Sequence, residues 1–283
     1  MIEVQDIVKS FDGTVVLDHI STEMYDGKVN MIIGQSGSGK TVLMKSLIGL
    51  YPVDSGKIIY KTQLPQAPSE RGMSRSVAKE QNLANMSEKE IRLLHRDVGM
   101  LFQGAALFDS MTVLENVKFP LEMFSKQTEE EMTERARFCL ERVNIPERAF
   151  ALMPSEISGG MQKRVAIARA ISMNPKYLFC DEPNSGLDPK TSIVIDQLIH
   201  ELTEEYNMCT VINSHDMNSI MEIGDHIVFL KNGKKEWQGS RFDIFHTGNE
   251  ALDDFVFASD LFKKVKMAVG TAADKEQRTM NKE

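Results

Sequence analysis

Residues 34–41 read Gly34-Gln35-Ser36-Gly37-Ser38-Gly39-Lys40-Thr41 (GQSGSGKT) and match G-x-x-x-x-G-K-[ST], the pattern of a phosphate-cradling loop, at every fixed position. The preceding residues, Val29–Ile33 (VNMII), are apolar and partly β-branched, as a buried strand requires. The following residues, Val42–Leu50 (VLMKSLIGL), carry apolar side chains at helical spacing. The loop therefore falls between a strand and a helix. Gly34, Gly37 and Gly39 let the backbone turn tightly and bring its N–H groups to an anion. The helix N-terminus adds partial positive charge. Lys40 would reach β- and γ-phosphates, and the Thr41 hydroxyl would ligate Mg²⁺.

Two further segments carry chemistry. Tyr177–Glu182 (YLFCDE) is an apolar strand ending in two carboxylates. Asp181 suits Mg²⁺, through water, and Glu182 suits a general base acting on an attacking water. Ser158–Gln162 (SGGMQ) opens a helix, with Ser158 as its cap. Ser158, Gly159 and Gly160 form a second anion cradle in the same chain.

Composition bounds the rest. The chain has 283 residues, 42% hydrophobic and 26% charged, which fits one α/β domain with insertions. No run of about 18 apolar residues occurs, so no membrane span is expected, and MIEVQDIVKSF lacks a signal-peptide pattern. Cys139, Cys180 and Cys209 show no metal spacing and read as free buried thiols in a reducing compartment. A formal net charge of −8 argues against nucleic acid as a partner.

The remaining elements follow from pattern. Strands are expected at 2–8, from Val15 to near Met24, at Lys57–Tyr60 and at Val98–Phe102, with a hairpin-type turn at Asp26-Gly27. Residues 62–86 are polar and Pro/Ser-rich, an exposed and partly disordered insertion that either touches a partner or is passive. Ser87 and Glu90 form a capping box. Helical patterns at Val113–Val117, Glu129–Val143 and Ile157–Ile171 make 104–172 mostly helical. A helix at Ile193–Tyr206 separates strands Tyr177–Cys180 and Thr210–Asn213. Asn232-Gly233 joins Ile227–Leu230 to Lys234–Gln238 as a hairpin. Residues 240–266 look helical, and 268–283 polar and frayed.

With these motifs in hand, the chain resembles the nucleotide-binding domain of ATP-binding-cassette (ABC) proteins over roughly residues 1–240. Gly34–Thr41 corresponds to the Walker A loop, Gln103 in LFQG to the Q-loop glutamine, and Leu178–Glu182 to Walker B. Ile157–Met161 (ISGGM) corresponds to the signature, with Met161 where Gln is usual. Ser185–Asp188 (SGLD) resembles the D-loop, His215 the switch histidine, and Phe11 the aromatic on adenine.

The resemblance implies an α/β P-loop NTPase: a RecA-like core, an antiparallel β subdomain and a helical signature subdomain at about 104–172. A C-terminal helical extension and tail would occupy 241–283. It implies ATP and Mg²⁺ as cofactors and ATP hydrolysis as the activity. Glu182, His215 and Gln103 would be catalytic, and Thr41, Gln103 and Asp181 would serve the metal. Phe11, Gly34, Gln35, Ser36, Gly37, Ser38, Gly39, Lys40, Thr41 and Val42 would bind nucleotide, and Ser158, Gly159 and Gly160 would bind the nucleotide of a second copy. Two copies would close head to tail around two ATPs, on the cytoplasmic face of an inner membrane and against an integral permease subunit.

Within the family, Asn213–Gly239 (NSHDMNSIMEIGDHIVFLKNGKKEWQG), MQKR after SGG and the later ALDDFV are similar to the ATPases of Mla/MCE-type phospholipid transporters. That group implies an MCE-domain lipid-binding subunit and a small regulatory subunit as further partners; an ABC ATPase for another cargo is the alternative. Some of Leu107, Phe108, Val113, Phe119, Leu121 and Phe124 are expected to line a groove for a permease helix. Phe255 and Phe257 either contact the second ATPase chain or fold back on their own.

Overall fold

The computed structural model describes residues 1–63 and 78–258. Its centre is a six-stranded sheet built from β3 (Lys28–Ile33), β6 (Val98–Leu101), β7 (Tyr177–Asp181), β8 (Cys209–Ser214), β9 (His226–Lys231) and β10 (Lys234–Gly239), in the order β10-β9-β3-β8-β7-β6. All neighbours run parallel except the β9–β10 hairpin. Asn232 and Gly233, at φ 50° and 78°, give that hairpin the two left-handed residues a tight turn with matching twist requires.

The parallel strands are apolar on both faces because both faces are covered. Met31, Leu178, Cys180, Ile212 and Phe229 enter one core, formed with α3 (Val113–Phe124), α4 (Glu129–Arg142), α5 (Gly159–Ile171) and α6 (Pro189–Glu205). Their sequence neighbours Ile32, Phe179, Val211, Val228 and Leu230 enter the other. There they meet α1 (Lys40–Ile48) and an antiparallel sheet of β1 (Ile2–Phe11), β2 (Thr14–Met24), β4 (Ser55–Gln63) and β5 (Ala78–Asn82), ordered β2-β1-β4-β5. α2 (Glu88–Arg96) carries the expected Ser87–Glu90 capping box, and α7 (Met217–Ile223) and α8 (Glu250–Val256) complete the α-helices among the described residues. The three cysteines are free and buried.

Several expectations need correction. The Asp26-Gly27 turn is no hairpin: β2 and β3 belong to different sheets, and Gly27 N–H donates to Met208 O at 2.9 Å, directing the chain beside β8. The polar stretch 62–86 is not a loop throughout. Its flanks pair as β4 and β5, from Ile59↔Asn82 to Gln63↔Ala78. β5 is an edge strand, and an edge can dispense with apolar alternation, so AKEQN showed no strand signal. Residues 64–77 and the tail beyond 258 lie outside the described residues. Among the described residues no helix is long and apolar enough to cross a membrane.

Candidate functional site

The phosphate loop leaves the C-terminal end of β3, where Ile33 pairs with Ser214 on one side and Phe229 on the other. Gly34, at φ 147°, lies so close to β9 that a Cβ would sit 2.2 Å from Leu230 O. Gly39, at φ 105°, precedes α1 without a side-chain cap, leaving the first-turn N–H groups to an incoming anion. The β9–β10 turn clamps the loop from behind, with Gly233 N–H donating to Ser38 O at 3.2 Å. Ser38 is buried, and its hydroxyl has no partner.

Lys40 is 7% exposed and folds back on its own loop, its ammonium donating to Gly34 O at 2.8 Å and Gln35 O at 3.0 Å. Burial lowers its pKa, and the carboxylates of Glu182 and Asp181 oppose that shift. The two carbonyls hold the ammonium where an anion on the loop would meet it.

β7 delivers the carboxylates. Asp181 Oδ1 accepts from Asn213 Nδ2 at 3.0 Å and lies 3.5 Å from Thr41 Oγ1. Glu182 adopts a left-handed backbone, φ 47°, at a strain cost of roughly 1–3 kcal/mol. Its N–H donates to Asn213 O at 3.0 Å, which holds it there. Glu182 Oε1 lies 3.0 Å from Nδ1 of His215, and Gln103 Nε2 donates to Oε2 at 3.5 Å and to Ser185 Oγ at 3.3 Å. A carboxylate only accepts, so the short contact assigns the Nδ1 proton to His215.

These groups converge. A cavity of about 710 Å³ is lined by Gln35, Ser36, Gly37, Gly39, Lys40, Thr41 and Val42, by Gln103, Glu182 and His215, and by Val16 and Phe255. Asp181 reaches it through Thr41, while Gly34 and Ser38 form the buried back of the loop. The Thr41 hydroxyl and the Asp181 carboxylate are hard oxygen donors facing each other, a set that suits Mg²⁺. Gln103, expected among the metal groups, makes no described hydrogen bond to either. Phe11 is absent from the lining; its exposed ring meets Tyr51 edge-on at 5.4 Å.

Ser158, Gly159 and Gly160 line a separate cavity of about 480 Å³, with Gly186, Asp188, Lys190 and Thr191. Ser158 caps α5, accepting from Met161 N at 3.3 Å. A Cβ on Gly160 would sit 2.7 Å from Thr191 Cγ2. The two anion cradles of the chain thus do not share a ligand space.

Sequence reasoning missed three contributors: Asn213, which fixes Asp181 and the Glu182 backbone; Val16; and Phe255. Phe255 folds back on its own chain, its ring 5.4 Å from that of Phe229. Phe257 does the same against Phe245 at 5.9 Å. No local spacing marks any of them.

A family model described as ABC transporter matches residues 17–185. The methionine import ATP-binding protein MetN of Clostridium tetani is 36% identical over 245 residues, spanning 87% of this chain and 71% of that protein. The intermembrane phospholipid transport system ATP-binding protein MlaF of Haemophilus influenzae is 32% identical over 256 residues, spanning 90% of each. A solved dimeric structure of the ATP-binding cassette MJ0796, in a post-hydrolysis state with ADP and Pi, superposes with a TM-score of 0.71 at 29% identity, covering 85% of this chain and 99% of that one.

Proposed function

The chain belongs to the ABC transporter family as an ATP-binding, ATP-hydrolysing subunit that takes ATP with Mg²⁺, and we propose that Glu182 is its general base, oriented by His215 and Gln103. The observation that carries this reading is the cavity in which Lys40, Thr41, Gln103, Glu182 and His215 meet. Bound Mg²⁺ would neutralise phosphate charge between Thr41 and Asp181. Lys40 would exchange its two carbonyls for phosphate oxygens. Glu182, held at one oxygen by His215 and at the other by Gln103, would orient a water and take its proton. Phe11 would reach adenine only from outside the lining residues.

We place the Ser158–Gly160 cradle against the nucleotide of a second copy, since it opens into its own cavity; MJ0796 is a dimer in its solved state. ABC cassettes pair with membrane permeases. A groove of about 420 Å³ lined by Met100, Phe102, Phe108, Phe119, Phe124 and Met173 would take a permease helix. Leu107, Val113 and Leu121 instead pack into the helical subdomain. In this reading residues 1–240 are the cassette, 104–172 its helical subdomain and 241–283 an extension, and the protein works at the cytoplasmic face of the inner membrane.

For cargo we favour phospholipid, on the MlaF likeness together with SGGMQKR and ALDDFV, with an MCE-domain protein and a small regulatory subunit as further partners. The MetN likeness supports a second reading, a metabolite importer. Purifying the chain with its membrane partner and identifying the bound cargo by mass spectrometry separates them. Stoichiometric phospholipid is the result expected; a bound amino acid or sulfate, or a partner that carries one, would favour the second.

A further inference from the structure

The loop after Gln103 is strained. Ala105 and Ala106 both adopt left-handed backbones, φ 62° and 49°, which a Cβ disfavours. Such a conformation persists only where its surroundings impose it. Here helix α5 does. Lys163 Nζ donates to Gln103 O. Arg169 donates through Nη1 to Ala106 O at 2.7 Å and through Nη2 to Ala105 O at 2.8 Å. Three carbonyls of one short loop thus converge on two cations of one helix.

Both cations are buried, Lys163 at 5% exposure and Arg169 at 9%. Among the described residues neither makes an ion pair, so the loop carbonyls supply what a buried charge needs. Burial lowers the pKa of each, and for Lys163 the nearby Asp181 and Glu182 oppose the shift. The helix that bears them starts at the Ser158 cap and the Gly159-Gly160 cradle. The loop they hold bears the amide that donates to Glu182. Arg169 also lies 5.8 Å below the ring of Phe108, an exposed aromatic of the apolar groove.

We propose that Lys163 and Arg169 are positioning residues for hydrolysis: from α5 they hold the Gln103 loop in its left-handed form, and with it the amide that donates to Glu182. This rests on the reading of Gln103 and Glu182 above. The two cations touch no reacting atom themselves. Their carbonyl bonds fix the place of one amide.

The test uses the full chain with Lys163→Met, Lys163→Arg, Gln103→Ala and the Lys163→Met/Gln103→Ala pair, measuring ATP affinity, kcat, KM and the thermal midpoint. Lys163→Met keeps the aliphatic stem and removes the charge. It is expected to lower kcat about 10–100-fold, as a displaced catalytic group does, with ATP affinity within about 2-fold of the parent. Lys163→Arg restores most of the turnover, which loss of packing would not allow. The double variant is expected within about 2-fold of the slower single variant, because residues acting as one unit are not additive. Losses that multiply, or full turnover in Lys163→Met, overturn the proposal while leaving the site reading intact. Full turnover in Gln103→Ala removes the site reading and the proposal with it. Should Lys163→Met depress the thermal midpoint, Arg169→Lys, which keeps charge but loses the fork, takes its place in the same cycle with the same two outcomes.

Discussion

Glu182 and His215 meet at 3.0 Å, Oε1 to Nδ1, although they come from the ends of two different strands. Adjacent β7 and β8 end side by side, Asp181 opposite Asn213, so Glu182, one residue on, and His215, two residues on, leave neighbouring strand ends, and the left-handed turn at Glu182 completes their approach. Glu182→Gln keeps the shape of the side chain and removes its capacity to take a proton. We expect ATP to bind as before and hydrolysis to slow by about 10²–10⁴-fold, the range of a lost general base. Steady-state ATPase assays beside a nucleotide titration check this; unchanged turnover excludes the assignment. His215→Ala should slow hydrolysis by less, because Gln103 still holds the other oxygen.

Lys40→Ala acts at an earlier step. The ammonium is already stationed on the loop by Gly34 and Gln35, and a charge-assisted hydrogen bond to phosphate is lost with it. Nucleotide affinity should fall about 10–100-fold, the equivalent of one such bond. Equal affinity for the variant and the parent by calorimetry would count against the placement of phosphate here.

Ser158→Ala and Gly160→Ala probe the second cradle. The first removes a helix cap and a hydroxyl; the second sets a methyl against Thr191 Cγ2. Both should leave the nucleotide affinity of the isolated chain unchanged, because the cradle lines a different cavity from the phosphate loop. Both should impair ATP-driven dimerisation, roughly 10-fold or more where geometry is displaced. Sedimentation of a slowly hydrolysing background with ATP reads this directly, and undiminished dimer in both would remove the cradle from the closed state.

Asp196 provides a pH prediction. It is 3% exposed between Asn184 Nδ2 at 2.8 Å and Ser219 Oγ at 2.7 Å, and burial pushes its pKa up to about 6 from 3.8. The native state therefore binds the proton more tightly than the unfolded chain does. Its contribution is most favourable below about pH 4 and is lost as pH rises to about 6 and above, on the order of 2–3 kcal/mol by neutral pH. Asp196→Asn removes that dependence. The stability difference between variant and parent, from denaturant melts at pH 5 and pH 7.5, should shift toward the variant at the higher pH; a pH-independent difference would refute this.

The phosphate loop was legible because its requirements are local: two glycines, a lysine and a threonine at fixed spacing between a strand and a helix. The Asn232-Gly233 hairpin and the Ser87–Glu90 capping box were legible for the same reason. The carboxylate pair was legible because the apolar run of β7 stops at Cys180 and two carboxylates follow at the strand's end. Lys163, Asn213 and Phe255 were not, since each matters through a neighbour distant in sequence, and a lysine in a helix or an asparagine in a strand carries no mark of it. The β4–β5 pairing was hidden by an edge strand with no apolar face. The Asp26-Gly27 turn misled because its chemistry specifies a bend and leaves open which sheet the chain enters next.

Phe255 lies beyond residue 240, after the last of the nucleotide-site motifs, yet it forms part of the wall around the phosphate loop and rests on Phe229, whose strand runs beside the start of that loop. A fragment trimmed at residue 240 would retain the phosphate loop, Gln103, Glu182 and His215 and lose one wall of the cavity in which they meet. Kinetic constants from such a minimal cassette would report a cavity open on the side that Phe255 closes.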